Sequence, residues 1–298
     1  MPIDPARALL VCHHNNPGAR ELAERLKSLL GSGVPVRSAD DDGLSPPAGA
    51  PSVIITVGGD GAILRAARLA APLGVPLLGV NMGRLGFLTE VEAMDAERLV
   101  PRYLTEDGFA RVERRPMVRA VLDGASRQSP LSFDALNEVV VGRGSAGSVS
   151  RVSVAVDGVP LTTYAADAVI VATATGSTAY SMSAGGPILH PESPGLILTP
   201  VAPHGDLSAP LLLPPGSVVE MHAKSQAATS VAADGFLDFP LHPGNVVRAQ
   251  TSDLHADFLR AGPPASFYET LVYRLRRGSD QTLSVARMIA EAEARSRG

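Results

Sequence analysis

Lysine is almost missing from this 298-residue chain. Lys27 and Lys224 are the only two, so arginine carries nearly all of the positive charge. Any phosphate the chain binds must then be held by arginine or by backbone N–H groups. Cys12 is the only cysteine, which excludes an internal disulfide and fits a reducing cytoplasm. Tryptophan is absent, and so is a basic excess. A net charge of −4 argues against a nucleic-acid partner. No apolar run approaches the length of a membrane span. The short apolar run near the N-terminus, residues 8–12, lacks the basic flank of a signal peptide and reads as a first strand, so no membrane partner is expected. Several nucleotide and hydrolase signatures are missing too. Nothing fits G-x-x-x-x-G-K-[ST], no G-x-G-x-x-G follows the first strand, and there is no G-x-S-x-G elbow. Histidines 13, 14, 190, 204, 222, 242 and 255 show no zinc-site spacing.

What is present is a globular composition, 45% hydrophobic and 19% charged, in a length that suits two domains or one large one. Strand and helix signals alternate through the first part of the chain. Strands are expected at 8–12, 34–36, 53–57 and 75–81, and helices at 19–30, from 62 onward, and at 93–104. That rhythm predicts a parallel sheet with helices on its faces. Near residue 110 it changes. Short strands separated by Gly, Pro, Asp and Ser follow, with Asp157-Gly158 as a strong hairpin signal. They predict an all-β domain, a sandwich, interrupted by one helix near 179–184. Helical patterns return at 267–276 and 283–295. The expected organisation is an α/β domain of residues 1–110 plus 266–298 and a β-sandwich of residues 111–265. The C-terminal helix returns to the first domain.

The stretch around which the chain is organised is Val53-Ile54-Ile55-Thr56-Val57-Gly58-Gly59-Asp60-Gly61, followed by a helix start. A turn from a buried strand into a helix presents N–H groups and a positive dipole end, which suit phosphate. A carboxylate there suits a hydroxyl proton or a metal ion better. The pattern suggests a kinase-like site with Asp60 beside the nucleophile. The plainer reading is a tight turn with Asp60 as helix N-cap. Asn137-Glu138, at the start of the apolar run 139–141, reads alone as a strand-edge pair. Residues 173–187 follow a buried strand and are dense in hydroxyls and glycines. They read as a surface loop or, better given length and position, as a phosphate- and ribose-binding loop.

Together these stretches resemble the NAD kinase family. The resemblance is carried by Val57-Gly58-Gly59-Asp60-Gly61, by residues 79–90 (Gly-Val-Asn-Met-Gly-Arg-Leu-Gly-Phe-Leu-Thr-Glu), and by Ala135-Leu136-Asn137-Glu138-Val139. Residues 175–187, 200–214 and Phe267-Tyr268-Glu269-Thr270-Leu271 complete it in the family's order. It implies a Rossmann-like α/β domain beside the β-sandwich. It also implies transfer of a phosphoryl group from ATP, or polyphosphate, to the 2′-hydroxyl of the NAD adenosine ribose, giving NADP. Asp60 would orient that hydroxyl and accept its proton. Gly61 and Arg65 would lie near phosphate. Asn137 and Glu138 would hydrogen-bond NAD, and Asp167 stands where the family has a nucleotide-binding aspartate. Thr178, Ala179, Tyr180 and Ser183 would contact the adenosine, with the Tyr180 ring on the base. These residues are expected to converge between the two domains. A divalent ion, magnesium, is implied with ATP, although no protein ligand set is visible for it. A homodimer or homotetramer is also implied. The chain departs from the family pattern at Ala62 (usually Thr), Ala168 (commonly Gly) and Ala174 (usually Pro), and lacks the arginine often found before Pro210. These departures bear on donor preference and affinity. The alternatives are a superfamily lipid or sugar kinase and a non-catalytic NAD-binding sensor.

Overall fold

The computed structural model describes residues 3–13, 15–40, 49–83, 86–124, 130–144, 149–205, 207–224 and 229–275. The helix expected at 283–295 lies outside them. The chain divides into two compact units, residues 1–114 with 256–298, and residues 115–255. Expected boundaries at 110/111 and 265/266 thus stand at 114/115 and 255/256. The shifts arise because two strands much longer than their apolar runs suggest cross the borders. One runs Arg111–Asp123 and the other Val246–Arg260.

The first unit is built on β1 (Ala8–Cys12), β2 (Val36–Ser38), β3 (Val53–Gly58) and β4 (Leu77–Asn81). They pair in parallel in the order β4-β3-β1-β2. β5 (Val91–Glu92) pairs with β4. Every residue of β1, β3 and β4 is buried, as continuous apolar runs covered on both faces require. Helices α1 (Pro17–Leu30) and α3 (Ala96–Thr105) share one core with Leu10, Ile55, Val57, Leu78 and Val80. Alternate residues Leu9, Val11, Ile54 and Leu77 point to the opposite face. There α2 (Asp60–Leu73) lies against β3, β4 and β1. Helix α1 begins two residues earlier than its apolar spacing suggests. The Asn16 side chain caps it by accepting from the Ala19 amide at 3.1 Å, with Pro17 in the first turn.

The second unit is a sandwich of antiparallel strands. They are β6 (Arg111–Asp123), β7 (Leu131–Ala135), β8 (Glu138–Arg143), β9 (Ser150–Val156) and β10 (Val159–Ala166). β11 (Ala168–Ala172) leads through a one-turn helix α4 (Tyr180–Ser183) to β12 (Leu196–Val201), β13 (Leu211–Leu213) and β14 (Val219–Ala223). β15 (Thr229–Ala233), β16 (Leu237–Leu241) and β17 (Val246–Arg260) complete it, before α5 (Ser266–Leu275). One layer has the order β10-β9-β14-β17. The other is six-stranded, β13-β12-β11-β8-β15-β16. Inward-facing alternate residues of both layers, among them Val139, Val141, Val152, Val154, Val169, Val171, Met221 and Val231, form one apolar core. Asp157 and Gly158 take φ 52° and 78°, the left-handed pair that a two-residue hairpin needs.

Candidate active site

In the first unit the residues converge on Asp60. It is the first residue of α2, not its N-cap. Gly59 occupies the cap position and makes no side-chain cap. The Asp60 carboxylate instead reaches to the chain beyond β4. Its Oδ2 accepts from the Phe87 amide at 2.9 Å and its Oδ1 from the Leu88 amide at 3.1 Å. Gly86 makes this approach feasible, because a Cβ on it would overlap the carboxylate. Thr89 braces the same turn by accepting from the Gly86 amide at 2.9 Å through Oγ1. Two amide bonds leave about half of a carboxylate's acceptor directions open. Asp60 is half-buried, so those directions remain reachable.

The glycines around it fall into two kinds. A Cβ on Gly58 would press on that of Ala62 at 3.1 Å, and one on Gly79 would collide with Ile63. Those two are needed for helix α2 to pack on the sheet. Gly59 and Gly61 are different, since a Cβ there meets nothing within 4 Å and neither has a positive φ. Arg65 follows Gly61 by one helical turn. Ala62 is fully buried, so the hydroxyl missing there would have started from a covered position. His13 donates from Nδ1 to Asp40 Oδ1 at 2.8 Å, while His14 lies outside the described residues.

In the second unit a buried cluster forms around Asn137 and Glu138. Sequence reasoning missed its organising residue, Asp234. This residue follows β15 with φ 49°, an unusual value for a side chain that is not glycine. Its carboxylate accepts from the amides of Leu136 (2.8 Å), Asn137 (2.7 Å) and Glu138 (3.2 Å). The Asp234-Gly235 dipeptide between two strands was the available signal. The hydroxyl-rich segment is joined to the same place. Thr173 donates from its amide to the Asn137 carbonyl (2.8 Å) and from Oγ1 to the Leu136 carbonyl (2.6 Å). A Cβ on Gly176 would overlap the Asn137 carbonyl. Ser177 Oγ donates to Ala174 O (2.6 Å) and accepts from the Leu189 amide (3.0 Å), and Ser181 shares a hydrogen bond with Thr199 (2.9 Å).

Glu138 is therefore buried next to another carboxylate. Burial first, and the Asp234 charge second, push its pKa up to about 8, although the Tyr180 amide bond opposes them. Both causes favour its protonated form at neutral pH. Its Oε2 and the Thr175 Oγ1 are buried without a hydrogen-bond partner. Two orphan polar atoms in one cluster require an explanation, and a bound polar molecule supplies one. Thr178 and Ala179 are half-buried, whereas Ser183 and Tyr180 are exposed, with 42% of Tyr180 accessible. Asp167 is not brought to this cluster. It precedes β11 at the end opposite Thr173, about 20 Å away along an extended chain. There it pairs with Arg143 at 3.0 Å.

Among the described residues no group of three or more His, Cys, Asp or Glu could hold a metal ion. An open, anchored carboxylate can take a hydroxyl proton, and a glycine turn at a helix N-terminus can face phosphate. Both capacities are ones that phosphoryl transfer requires.

Comparison with known proteins identifies the family. The ATP-NAD kinase N-terminal domain matches residues 48–108 and the ATP-NAD kinase C-terminal domain matches residues 136–261. An NAD kinase of Dehalococcoides mccartyi is 37% identical over 273 residues, covering 90% of this chain and 95% of that protein. Among solved structures, an NAD kinase from Archaeoglobus fulgidus in complex with ATP has a TM-score of 0.70 at 28% identity. It covers 91% of this chain and 100% of its own. Yeast NADH kinase complexed with NADH has a TM-score of 0.80 at 23% identity, covering 95% and 91%, and so shares the fold. The chain belongs to the NAD kinase family.

Proposed function

We propose that the chain phosphorylates NAD at the 2′-hydroxyl of its adenosine ribose, using ATP or polyphosphate, and releases NADP. The observation that carries this reading is the Asp60 carboxylate, fixed by the Phe87 and Leu88 amides with its other acceptor directions open. Asp60 aligns the hydroxyl and takes its proton as the phosphoryl group moves. The bare surfaces of Gly59 and Gly61 leave room for phosphate oxygens at the N-terminus of α2, and Arg65 adds a positive charge one turn along.

Asn137 and Glu138 hold the NAD. A protonated Glu138 can donate as well as accept, which suits a ribose hydroxyl, and the orphan Oε2 and Thr175 Oγ1 are the atoms awaiting such partners. Thr178, Ala179, Tyr180 and Ser183 receive the adenosine, with the exposed Tyr180 ring stacking on the base. Asp167 is assigned to nucleotide binding by family position alone. A magnesium ion travels with the donor phosphates.

The chain works in the cytoplasm, in keeping with its one, buried, unpaired cysteine. It assembles as a homodimer or homotetramer. Val159 and Leu212, 67% and 60% exposed on terminal strands of the two layers, support that assignment. Among the described residues no helix is long and apolar enough to cross a membrane.

The experiment is NADP formation by the purified chain with magnesium, with ATP and polyphosphate compared as donors and NAD, NADH, a sugar and a lipid compared as acceptors. NADP from NAD supports the reading. Phosphorylation of a sugar or lipid alone, or calorimetric NAD binding without turnover, would overturn it.

A further inference from the structure

Behind the turn that anchors Asp60 lies a cluster of three buried charges, Glu90, Glu113 and Arg260, with the partly exposed Arg111 at its edge. Arg260, at the end of β17, is 7% exposed. One terminal nitrogen of its guanidinium donates to Glu90 Oε2 at 2.8 Å and to the Thr89 carbonyl at 3.1 Å. Its Nε reaches Glu113 Oε1 at 3.3 Å. The second oxygen of Glu90 accepts from the Tyr103 hydroxyl at 2.8 Å and from the Ala261 amide at 2.9 Å. Glu113 is held from its other side by Arg111 at 2.9 Å. Arg260 and Arg111 thus face Glu90 and Glu113.

Charge balance does not explain why the cluster is there. A buried ion pair is commonly no more stabilising than apolar residues of the same volume. What it adds is fixed geometry, and its place in the chain shows where that geometry goes. Thr89 binds Arg260 through its carbonyl and the Gly86 amide through its hydroxyl. The next residue, Glu90, is tied to the sheet through its amide, which donates to the Gly79 carbonyl at 2.8 Å. The two residues before Thr89 are Phe87 and Leu88, whose amides hold Asp60. No flexible residue intervenes between the buried pair and those amides.

We propose that Arg260, paired with Glu90, is a positioning residue for Asp60. It fixes the root of residues 86–90 so that the Phe87 and Leu88 amides point at the carboxylate. This rests on the reading of Asp60 as the proton acceptor and adds a residue remote in sequence to its support. Small displacements of an acceptor lower the rate of the chemical step more than they weaken substrate binding.

The test uses the full chain. Arg260→Lys keeps the charge and removes the fork. We expect kcat for NADP formation to fall by about 10- to 100-fold, with KM for NAD changed less than about threefold. The Phe87 and Leu88 amides should exchange with deuterium at least about tenfold faster. Tyr103→Phe removes one neutral donor from Glu90 and leaves every charge in place. It should move both readouts the same way by about threefold, and it decides the matter if Arg260→Lys does not fold. Unchanged exchange at Phe87 and Leu88, or faster exchange with unchanged kcat, would overturn the proposal. The exchange needs no substrate, so it reports on the anchor separately. Absence of NADP from the unaltered chain would sink the assigned reaction and not the anchor.

Discussion

Asp60 and Asp234 are anchored alike and left in different conditions. Each collects backbone amides from a segment remote in sequence, Asp60 from Phe87 and Leu88, Asp234 from Leu136, Asn137 and Glu138. Asp60 accepts two such bonds and stays half-exposed. Asp234 accepts three, is 6% exposed, and raises the pKa of the carboxyl beside it. The first carboxylate keeps capacity for a substrate. The second has spent its capacity on the chain, and the capacity left in its cluster belongs to Glu138 and Thr175. Hydrogen-bond occupancy and access thus separate the carboxylate proposed to accept a proton from one committed to holding the chain.

That distinction can be broken at either end. The largest effect is expected from Gly86→Ala, because the added methyl takes the space of the Asp60 carboxylate. We expect kcat to fall by about 100-fold, with NAD binding by calorimetry changed little. Loss of NAD affinity with turnover preserved would reverse the roles given to the two units.

Asp234→Asn is next. It weakens the acceptor for three buried amides, so thermal or denaturant unfolding should show a loss of about 1–3 kcal/mol, accompanied by a higher KM for NAD. Unchanged stability would show that the amides do not depend on the charge.

At neutral pH the smallest effect is expected from Glu138→Gln, and it grows as pH rises. The folded pKa of about 8 lies above the ordinary carboxyl value of 4.5, so between those values the folded chain holds a proton that the unfolded chain has released. Stability therefore falls as pH rises through that window. A glutamine cannot ionise, so the variant should lose that slope and be more stable than the parent at pH about 9. Parallel unfolding curves across the window would contradict the protonated carboxyl.

Much of the fold and part of the site are legible in the order of the amino acids. Strands β1, β3 and β4 announce themselves because both faces are covered, which leaves uninterrupted apolar runs. Asp60, Asn137 and Glu138 stand out through local motifs. Three other features are hidden. β6 and β17 carry charged residues such as Arg111, Glu113 and Asp257 along exposed or ion-paired stretches, so apolar alternation shows only a part of each. Asp234 works by collecting the amides of residues about a hundred positions away, a relation that no local pattern records. Arg260 looks like an ordinary strand-end arginine until Glu90 and Glu113 are seen around it. Asp167 is marked by family position alone, and the antiparallel register of β11 with β8 carries it one strand length from Glu138.

The central claim is that Asp60 accepts the proton of the ribose hydroxyl. Its most direct test is Asp60→Asn, with single-turnover NADP formation and calorimetric NAD binding measured on the same preparation. The account predicts that turnover falls by about 1,000-fold or more while NAD affinity stays within about threefold. Turnover close to that of the unaltered chain would contradict it.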